Sequence, residues 1–323
     1  MKQKLTKAMI VLGVPVLYAF VLRFVFDIDI FQNFAAVMSL TFFISLPFGV
    51  GLLTITLSDV KKVQSLRYRI FQPWIPILVF FLLTLLLSIE GWACWLMMLP
   101  VFLVLASLGG LTAGYFKLRK HSSSNKLNVS IAVLLPFVLL PGEDLAKARA
   151  GQYEAYTYID IVAPQQTVWN NVLRVKKISS QEDKGMLTNL LGFPRPLQAE
   201  LNYAGVGASR KAVFTRGLVF DEVVADYEDK KKMHFSIQAN TYSIPSTTMD
   251  KHILIGGEYF DVTDGTYVLQ QLNHNTFRLH LYSHFTITTT FNFYAALWAG
   301  WIMKDIQNNI LQVIKHRCEV LRA

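Results

Sequence analysis

The order of apolar and polar positions changes character once, near residue 145. Before that point apolar residues run almost unbroken over 8–26, 34–57, 74–90 and 92–116. Each run is about as long as the roughly 20 residues with which a helix crosses a hydrocarbon core. A fifth run, 127–141, is shorter and carries Pro136 and Pro141. Beyond residue 150 the pattern alternates instead. Tyr156–Val162 reads as a strand ended by Ala163 and Pro164, and Pro164 opens a helix with Val168, Trp169, Val172 and Leu173 on one face. Residues 176–206, with Gly185, Gly192, Pro194 and Pro196, read as irregular. Strands follow at 208–214, 218–226, 232–239, 252–260, 265–271 and 276–290, with turns at 215–217, 228–231, Asp264-Gly265 and 273–275. The chain closes with a helix over about 292–320. Leu297, Trp298, Trp301, Ile302, Ile306, Ile310, Val313 and Ile314 form its apolar stripe, the available cover for one sheet face.

These patterns predict an α-helical membrane bundle of five spans, possibly four, over 1–145. They predict a separate α+β domain over 150–323. Composition agrees. Of 323 residues 53% are hydrophobic and 16% charged, where soluble domains carry about 25% charged. That excludes a disordered or nucleic-acid-tail protein and most purely soluble enzymes. The net charge of +9 points to no nucleic-acid partner, because the cations sit beside the apolar runs. Lys2, Lys4 and Lys7 precede the first run, Lys61, Lys62, Arg67 and Arg69 occupy the loop 58–73, and Lys117, Arg119, Lys120 and Lys126 follow the fourth run. With acidic Asp27 and Asp29 in the loop 27–33, and Glu90-Gly91 as a short outside turn, the positive-inside rule places the N-terminus in the cytoplasm. A spanning fifth run, the favoured reading, makes the C-terminal domain extracytoplasmic; an interfacial one leaves it cytoplasmic. The expected location is a plasma or bacterial-type inner membrane. The first run is too long for a cleaved signal peptide and lacks a small-residue cleavage site. Arg23, near a span end, is expected to snorkel to headgroups. No span carries a mid-membrane charge, so an anchor is favoured over a carrier. Gly49, Gly51, Gly109, Gly110 and Gly114 suit close helix packing. Cys94 and Cys318 are lone thiols, and Cys318 would report sidedness if exposed.

Counting back across the Thr215-Arg216-Gly217 loop pairs Ala212 with Phe220 and Arg210 with Glu222. Phe214 and Phe220 share that face, which should be the covered one. The pair is then either a buried ion pair that fixes register or a polar anchor for a ligand carboxylate or hydroxyl. Phe235 takes the apolar face of its strand, alternating with His234 and Ser236. His280 and His284 share one face with Arg278, Tyr282 and Thr286, while Phe277, Leu279, Leu281, Phe285 and Ile287 take the other and should meet the helix. Two His four apart on a strand stand about 13 Å apart, too far for one metal ion. His234 and His252 are single. No metal site and no cofactor is implied, no Gly-x-Ser-x-Gly occurs, and Asp160 and Glu200 read as isolated. Tyr259, Tyr267, Tyr282 and Glu222 are acid–base candidates by residue type. Trp298 and Trp301 read as core packing, a lid, or a membrane-facing belt.

Three segments carry a resemblance. Ile159-Asp-Ile-Val-Ala-Pro-Gln-Gln-Thr-Val-Trp169, Gly205-Val-Gly-Ala-Ser-Arg210 and Phe220-Asp-Glu-Val-Val224 resemble, in order and spacing, the START-like or Bet v 1-like (SRPBCC, polyketide cyclase/dehydrase-like) superfamily. The resemblance covers about 155–320. Gly205-x-Gly207 precedes a strand, so it is no dinucleotide fingerprint. The resemblance implies a helix-grip fold, in which a curved antiparallel sheet wraps a long C-terminal helix around a hydrophobic ligand. With the register and faces above, the candidate ligand-binding residues are Arg210, Glu222, Phe214, Phe220, Phe235, Tyr267 and Trp298. The implied function is a membrane-anchored domain holding a hydrophobic, lipid-like molecule, with membrane lipids and a hydrophobic small molecule as partners. The alternatives are a cyclase/dehydrase-like enzyme on a hydrophobic substrate and a membrane-tethered protein-interaction module.

Overall fold

The computed structural model describes residues 2–26, 40–89, 91–119, 129–132, 134–139, 149–239, 255–257 and 259–320. The chain divides into two compact units, Met1–Arg149 with Thr289–Phe291, and Ala150–Thr288 with Asn292–Ala323.

The first unit is helical: α1 (Lys2–Val25), α2 (Leu40–Leu57), the short α3 (Val60–Val63) and α4 (Leu66–Phe71), α5 (Trp74–Leu86) and α6 (Trp92–Arg119). Among the described residues four segments are long and apolar enough to cross a membrane: Leu5–Val25, Leu40–Leu57, Leu66–Leu86 and Trp92–Arg119. The third joins α4 to α5, so part of the expected basic loop 58–73 belongs to a span. The Trp74 indole fixes this segment to α6 by donating to Ser107 Oγ at 2.9 Å, and Ser107 Oγ lies 3.1 Å from the Ile70 carbonyl. In the fifth apolar run, residues 129–132 and 134–139 are helical. The rest of that run, the loop 27–33, Glu90 and residues 120–126 lie outside the described residues.

Glycine sets the α2–α6 contact. A Cβ on Gly51 would overlap the Ala106 carbonyl, and one on Gly109 would overlap the Phe48 carbonyl. The two backbones therefore touch where side chains would normally intervene. Two cations depart from expectation. Arg23 is buried rather than snorkelled to headgroups. Lys117, assigned above to a loop, is buried in the last turn of α6, where its ammonium donates to the carbonyls of Thr56 and Ser58, both at 2.6 Å. It satisfies the open carbonyls at the C-terminus of α2, where a cation also suits the helix dipole.

The second unit runs β1 (Gly151–Val162), α7 (Gln165–Leu173), α8 (Met186–Leu191), β2 (Pro196–Leu201), β3 (Ser209–Phe214), β4 (Val219–Glu228), β5 (Lys232–Ala239), β6 (Phe260–Gln271), β7 (Thr276–Ile287) and α9 (Asn292–Val320). All pairings are antiparallel in the order β1-β7-β6-β5-β4-β3-β2, and the curled sheet grips α9. This is the helix-grip fold that the resemblance implies. The Thr215–Gly217 loop turns as expected, with Arg216 and Gly217 both left-handed (φ 63° and 81°).

Three details differ from the sequence reading. Residues 176–206 contain α8 and β2, so Arg210 opens the third strand rather than the second. Short β2 hides among Gly and Pro because it is an edge strand, where Pro196 at its first position costs no ladder bond. Asp264-Gly265 is no turn. It lies inside β6, beside a bulge between Val262 and Asp264. His252, with most of the expected strand 252–260, lies outside the described residues. Finally, α9 is rotated from the stripe expected in its first half. Leu297 and Trp301 face outward, while Met303, Gln307, Leu311, Val313, Ile314 and Cys318 are buried. Its first half is apolar nearly all round, so residue type there does not reveal phase. Buried Cys318 is unsuited to surface labelling.

Polar groups fasten α9 to its surroundings. Gln307 Nε2 donates to the Ala155 carbonyl (3.0 Å) and Ser283 Oγ (2.9 Å), and its Oε1 accepts from Thr157 Oγ1 (3.0 Å). Arg317 forms a bidentate pair with Glu182 (2.7 and 3.0 Å), which also accepts from Ser179 N and Oγ.

Two predictions follow from these contacts. Gly51→Ala should destabilise the helical unit by about 1–3 kcal/mol through backbone overlap. Gly13→Ala, where nothing lies within 4 Å of the added Cβ, should leave the unfolding midpoint in mixed micelles unchanged or higher. The Arg317 hydrogen bond lowers the Glu182 carboxyl from 4.5 to about 2. Its stabilising contribution is then complete above pH 4.5 and lost as the pH falls from 4.5 toward 2. Glu182→Gln should flatten the stability–pH curve in that window, measured by thermal unfolding of the full chain.

Candidate functional site

Four adjacent strands bring one polar group into the apolar side of the sheet. Arg210 on β3 stands opposite Glu222 on β4, in the register that the hairpin loop dictates. Both side chains are buried, and Arg210 Nη1 donates a hydrogen bond to Glu222 Oε2. Next along the sheet come Phe235 on β5 and Tyr267 on β6. The Arg210 guanidinium lies 5.4 Å from the Phe235 ring centre and 5.9 Å from that of Tyr267. Such distances allow a cation–π attraction that is stronger out of water. The two rings are 6.1 Å apart and inclined by 30°.

Gly265 explains how Phe235 fits. It faces Phe235 across the β5–β6 pair, and a Cβ there would come within 2.6 Å of the ring. The missing side chain is the space that the ring occupies. The same-face Phe214 and Phe220 pack edge to face, 5.1 Å apart, on the β3–β4 hairpin. Arg210, Glu222, Phe214, Phe220, Phe235 and Tyr267 thus lie on one covered face. Trp298 is placed differently. It is half-buried on α9 and packs edge to face on Trp301 at 5.2 Å. Among the described residues no ring contact or hydrogen bond joins it to Arg210.

The electrostatics are those of a buried cation with a single counterion. Burial works against the Arg210 charge, but the Glu222 carboxylate and the Tyr267 oxygen more than offset it, and the pKa moves up. Burial pushes the Glu222 carboxyl up, opposed by Arg210. The Tyr267 hydroxyl is likewise pushed up by burial. One feature is incomplete. Arg210 Nε is buried and has no hydrogen-bond partner. An N–H in that state carries a desolvation penalty of roughly 1–3 kcal/mol until an acceptor reaches it.

The histidine row faces away from this group, as its parity predicts. His280 Nδ1 lies 2.9 Å from the Tyr156 hydroxyl, and its Nε2 lies 3.1 Å from Gln270 Oε1. Burial and the nearby Arg278 lower its pKa. His284 sits between Asp264 (2.6 Å) and Glu154 (3.3 Å), and these carboxylates raise its pKa. Asp160, which reads as isolated in the sequence, is held by Arg278 in a bidentate pair at 2.7 and 2.9 Å. That partner is a cross-strand neighbour 118 positions away, so no local pattern announces it. Gln307 also goes unnoticed in the sequence. Its signal is the one amide of the Gln307-Asn308-Asn309 run that stands a turn from both Met303 and Leu311, on the side of the helix that must be dry.

Removing one member of the buried pair exposes the cost of the other. Arg210→Met should destabilise the domain by about 3–5 kcal/mol, whereas Arg210→Met with Glu222→Met should fall within about 1 kcal/mol of wild type. Denaturant unfolding of the single and double variants checks the difference.

No protein-family model matches the sequence, and no curated protein does. Solved structures do. A START superfamily protein from Mycobacterium smegmatis aligns at 8% identity and TM-score 0.35, over 53% of this chain and 99% of its own. A point mutant of norcoclaurine synthase from Thalictrum flavum, in complex with a transition-state analogue, aligns at 10% identity and TM-score 0.34, over 55% of this chain and all of its own. The protein XoxI from Bacillus cereus aligns at 12% identity and TM-score 0.29, over 53% and 98%. Each likeness is one of fold, and each spans about half of this chain.

Proposed function

We propose that residues 1–145 anchor the chain in a membrane. Residues 150–323 then hold one hydrophobic, lipid-like molecule between the covered sheet face and α9. The observation that carries this reading is the Arg210 Nε–H, a buried donor with no hydrogen-bond partner on a largely apolar sheet face. A molecule with a long apolar body and one oxygen acceptor answers both features, since the body meets Phe235, Phe214 and Phe220 and the acceptor meets Arg210. Glu222 and Tyr267 hold the guanidinium in place. The four apolar helices support a membrane location, where such a molecule is concentrated. The distribution of Lys and Arg supports a cytoplasmic N-terminus in a plasma or bacterial-type inner membrane, and an extracytoplasmic domain requires in addition that the fifth apolar run, 127–141, spans.

A second reading, cyclase/dehydrase-like chemistry on a hydrophobic substrate, has one observation in its favour. Glu222 and Tyr267, two groups able to exchange a proton, flank the same cation on the covered face, and burial pushes the pKa of each up.

The test uses the full chain in membrane vesicles with a photoactivatable long-chain fatty alcohol. After irradiation and digestion, adducts are located by mass spectrometry. The expected result is adduct on peptides from β3 to β6, competed by unlabelled fatty alcohol and reduced at least five-fold in the Arg210→Met/Glu222→Met variant, with adducts on the spans unchanged. Adducts confined to the spans, or indifferent to the double variant, overturn the ligand-holding reading in favour of an interaction module. A probe recovered with altered mass supports the enzyme reading.

A further inference from the structure

The outward stripe of α9 changes chemistry half-way along. Its exposed positions, three or four residues apart, read Phe293, Leu297 and Trp301, then Lys304, Asn308 and Gln312. These positions fall on one side of a helix. A helix on the outside of a water-soluble domain keeps that side polar throughout. Here Phe293, Leu297 and Trp301 are 72%, 52% and 53% exposed, and the polar residues begin only at Lys304.

A second element widens the apolar half. Met186 and Leu190, four apart on α8, are 80% and 60% exposed. Asp305, one turn beyond Trp301, fixes α8 beside α9 by accepting from Thr188 N (2.8 Å) and Thr188 Oγ1 (2.7 Å). Half-buried Trp298 props Trp301 from behind through the edge-to-face contact. Exposed cations border the patch: Lys304 where the stripe turns polar, and Lys184 just before α8.

We infer that this face, Phe293, Leu297 and Trp301 with Met186 and Leu190, seats in the interfacial layer of an anionic phospholipid bilayer. The inference rests on the reading that the four apolar helices cross a membrane. Three features choose lipid as the occupant. The five outermost side chains carry a single polar atom, the Trp301 indole nitrogen, so they offer a protein partner almost no directional hydrogen bond. Tryptophan with a lysine at the change from apolar to polar is the arrangement that suits the headgroup level. The bordering lysines complement anionic phosphate. The spans, in turn, keep the domain beside a bilayer at high effective concentration.

The test is spin-label accessibility on the full chain in nanodiscs of phosphatidylcholine and phosphatidylglycerol. Cys94 and Cys318 are first replaced by Ala, and single labels are placed at 297, 301, 308 and 312, with Leu82 on a span as control. Labels at 297 and 301 should collide with oxygen as the Leu82 label does, and with a water-soluble nickel chelate at least five-fold less than the 312 label. If the Leu82 label is open to the chelate, the spanning reading falls and takes this inference with it. If Leu82 is lipid-exposed while 297 and 301 match 312, docking alone is overturned. Labels at 297 and 301 that are immobile and shielded from both reagents identify a protein occupant and also overturn it. Dilution with unlabelled chain then tells a second copy from another partner.

Discussion

Gln307 fixes the rotation of α9, and much of the domain's surface chemistry depends on that rotation. The residue lies within the dry contact between helix and sheet, so its amide cannot turn to water. Two donors and one acceptor are used at once, on the Ala155 carbonyl, Ser283 and Thr157. These partners belong to β1 and β7, at one side of the sheet. Turning the helix by one residue, about 100°, would strand all three bonds in an apolar layer. The amide thus does for the helix what a polar residue in a coiled-coil seam does for register. With the rotation set, Met303, Leu311 and Ile314 must face inward and Leu297 and Trp301 must face out.

The Arg210 group shows the same logic on the sheet. A guanidinium this deeply buried would be prohibitive without a counterion, and Glu222 is the residue that an antiparallel register places opposite it. Phe235 and Tyr267 add the attraction of their ring faces, and Gly265 leaves the room that Phe235 needs. Each part is required by its neighbour. The unpaired Nε–H is the feature on which the proposed ligand-holding role rests.

Parts of this were legible in the chain. The Arg210–Glu222 pairing follows from a three-residue loop ending in glycine, because loop length and turn geometry set hairpin register. The outward parity of His280 and His284 follows from strict alternation along β7. Other parts were hidden for identifiable reasons. The phase of α9 could not be read because residues 293–302 are apolar or small on every side, and the decisive residue is a glutamine. Asp264-Gly265 mimics a turn, yet the glycine answers to Phe235 on the next strand. Lys117 looks like a headgroup lysine because it ends an apolar run, while its real partners are carbonyls of α2 about 60 positions earlier. In each case the deciding contact is long-range, and local pattern records only that something unusual is present.

Under the proposed ligand-holding role, the orphan donor would set selectivity. When the domain is empty, or filled by a pure hydrocarbon, the Arg210 Nε–H stays unsatisfied and its desolvation cost of roughly 1–3 kcal/mol is carried by the complex. A ligand with a carbonyl or hydroxyl at the matching depth would remove that cost, worth up to about two orders of magnitude in affinity at the upper limit. The apolar body contributes in proportion to the area it buries and discriminates little between chains of similar length. Affinity would therefore come from the tail and choice from the single oxygen. Because Glu222 already balances the guanidinium, a neutral acceptor suffices, and a second charge on the ligand would have to displace or protonate the glutamate. On this argument the domain should favour lipid-like molecules with one modest polar group over both hydrocarbons and strongly charged amphiphiles.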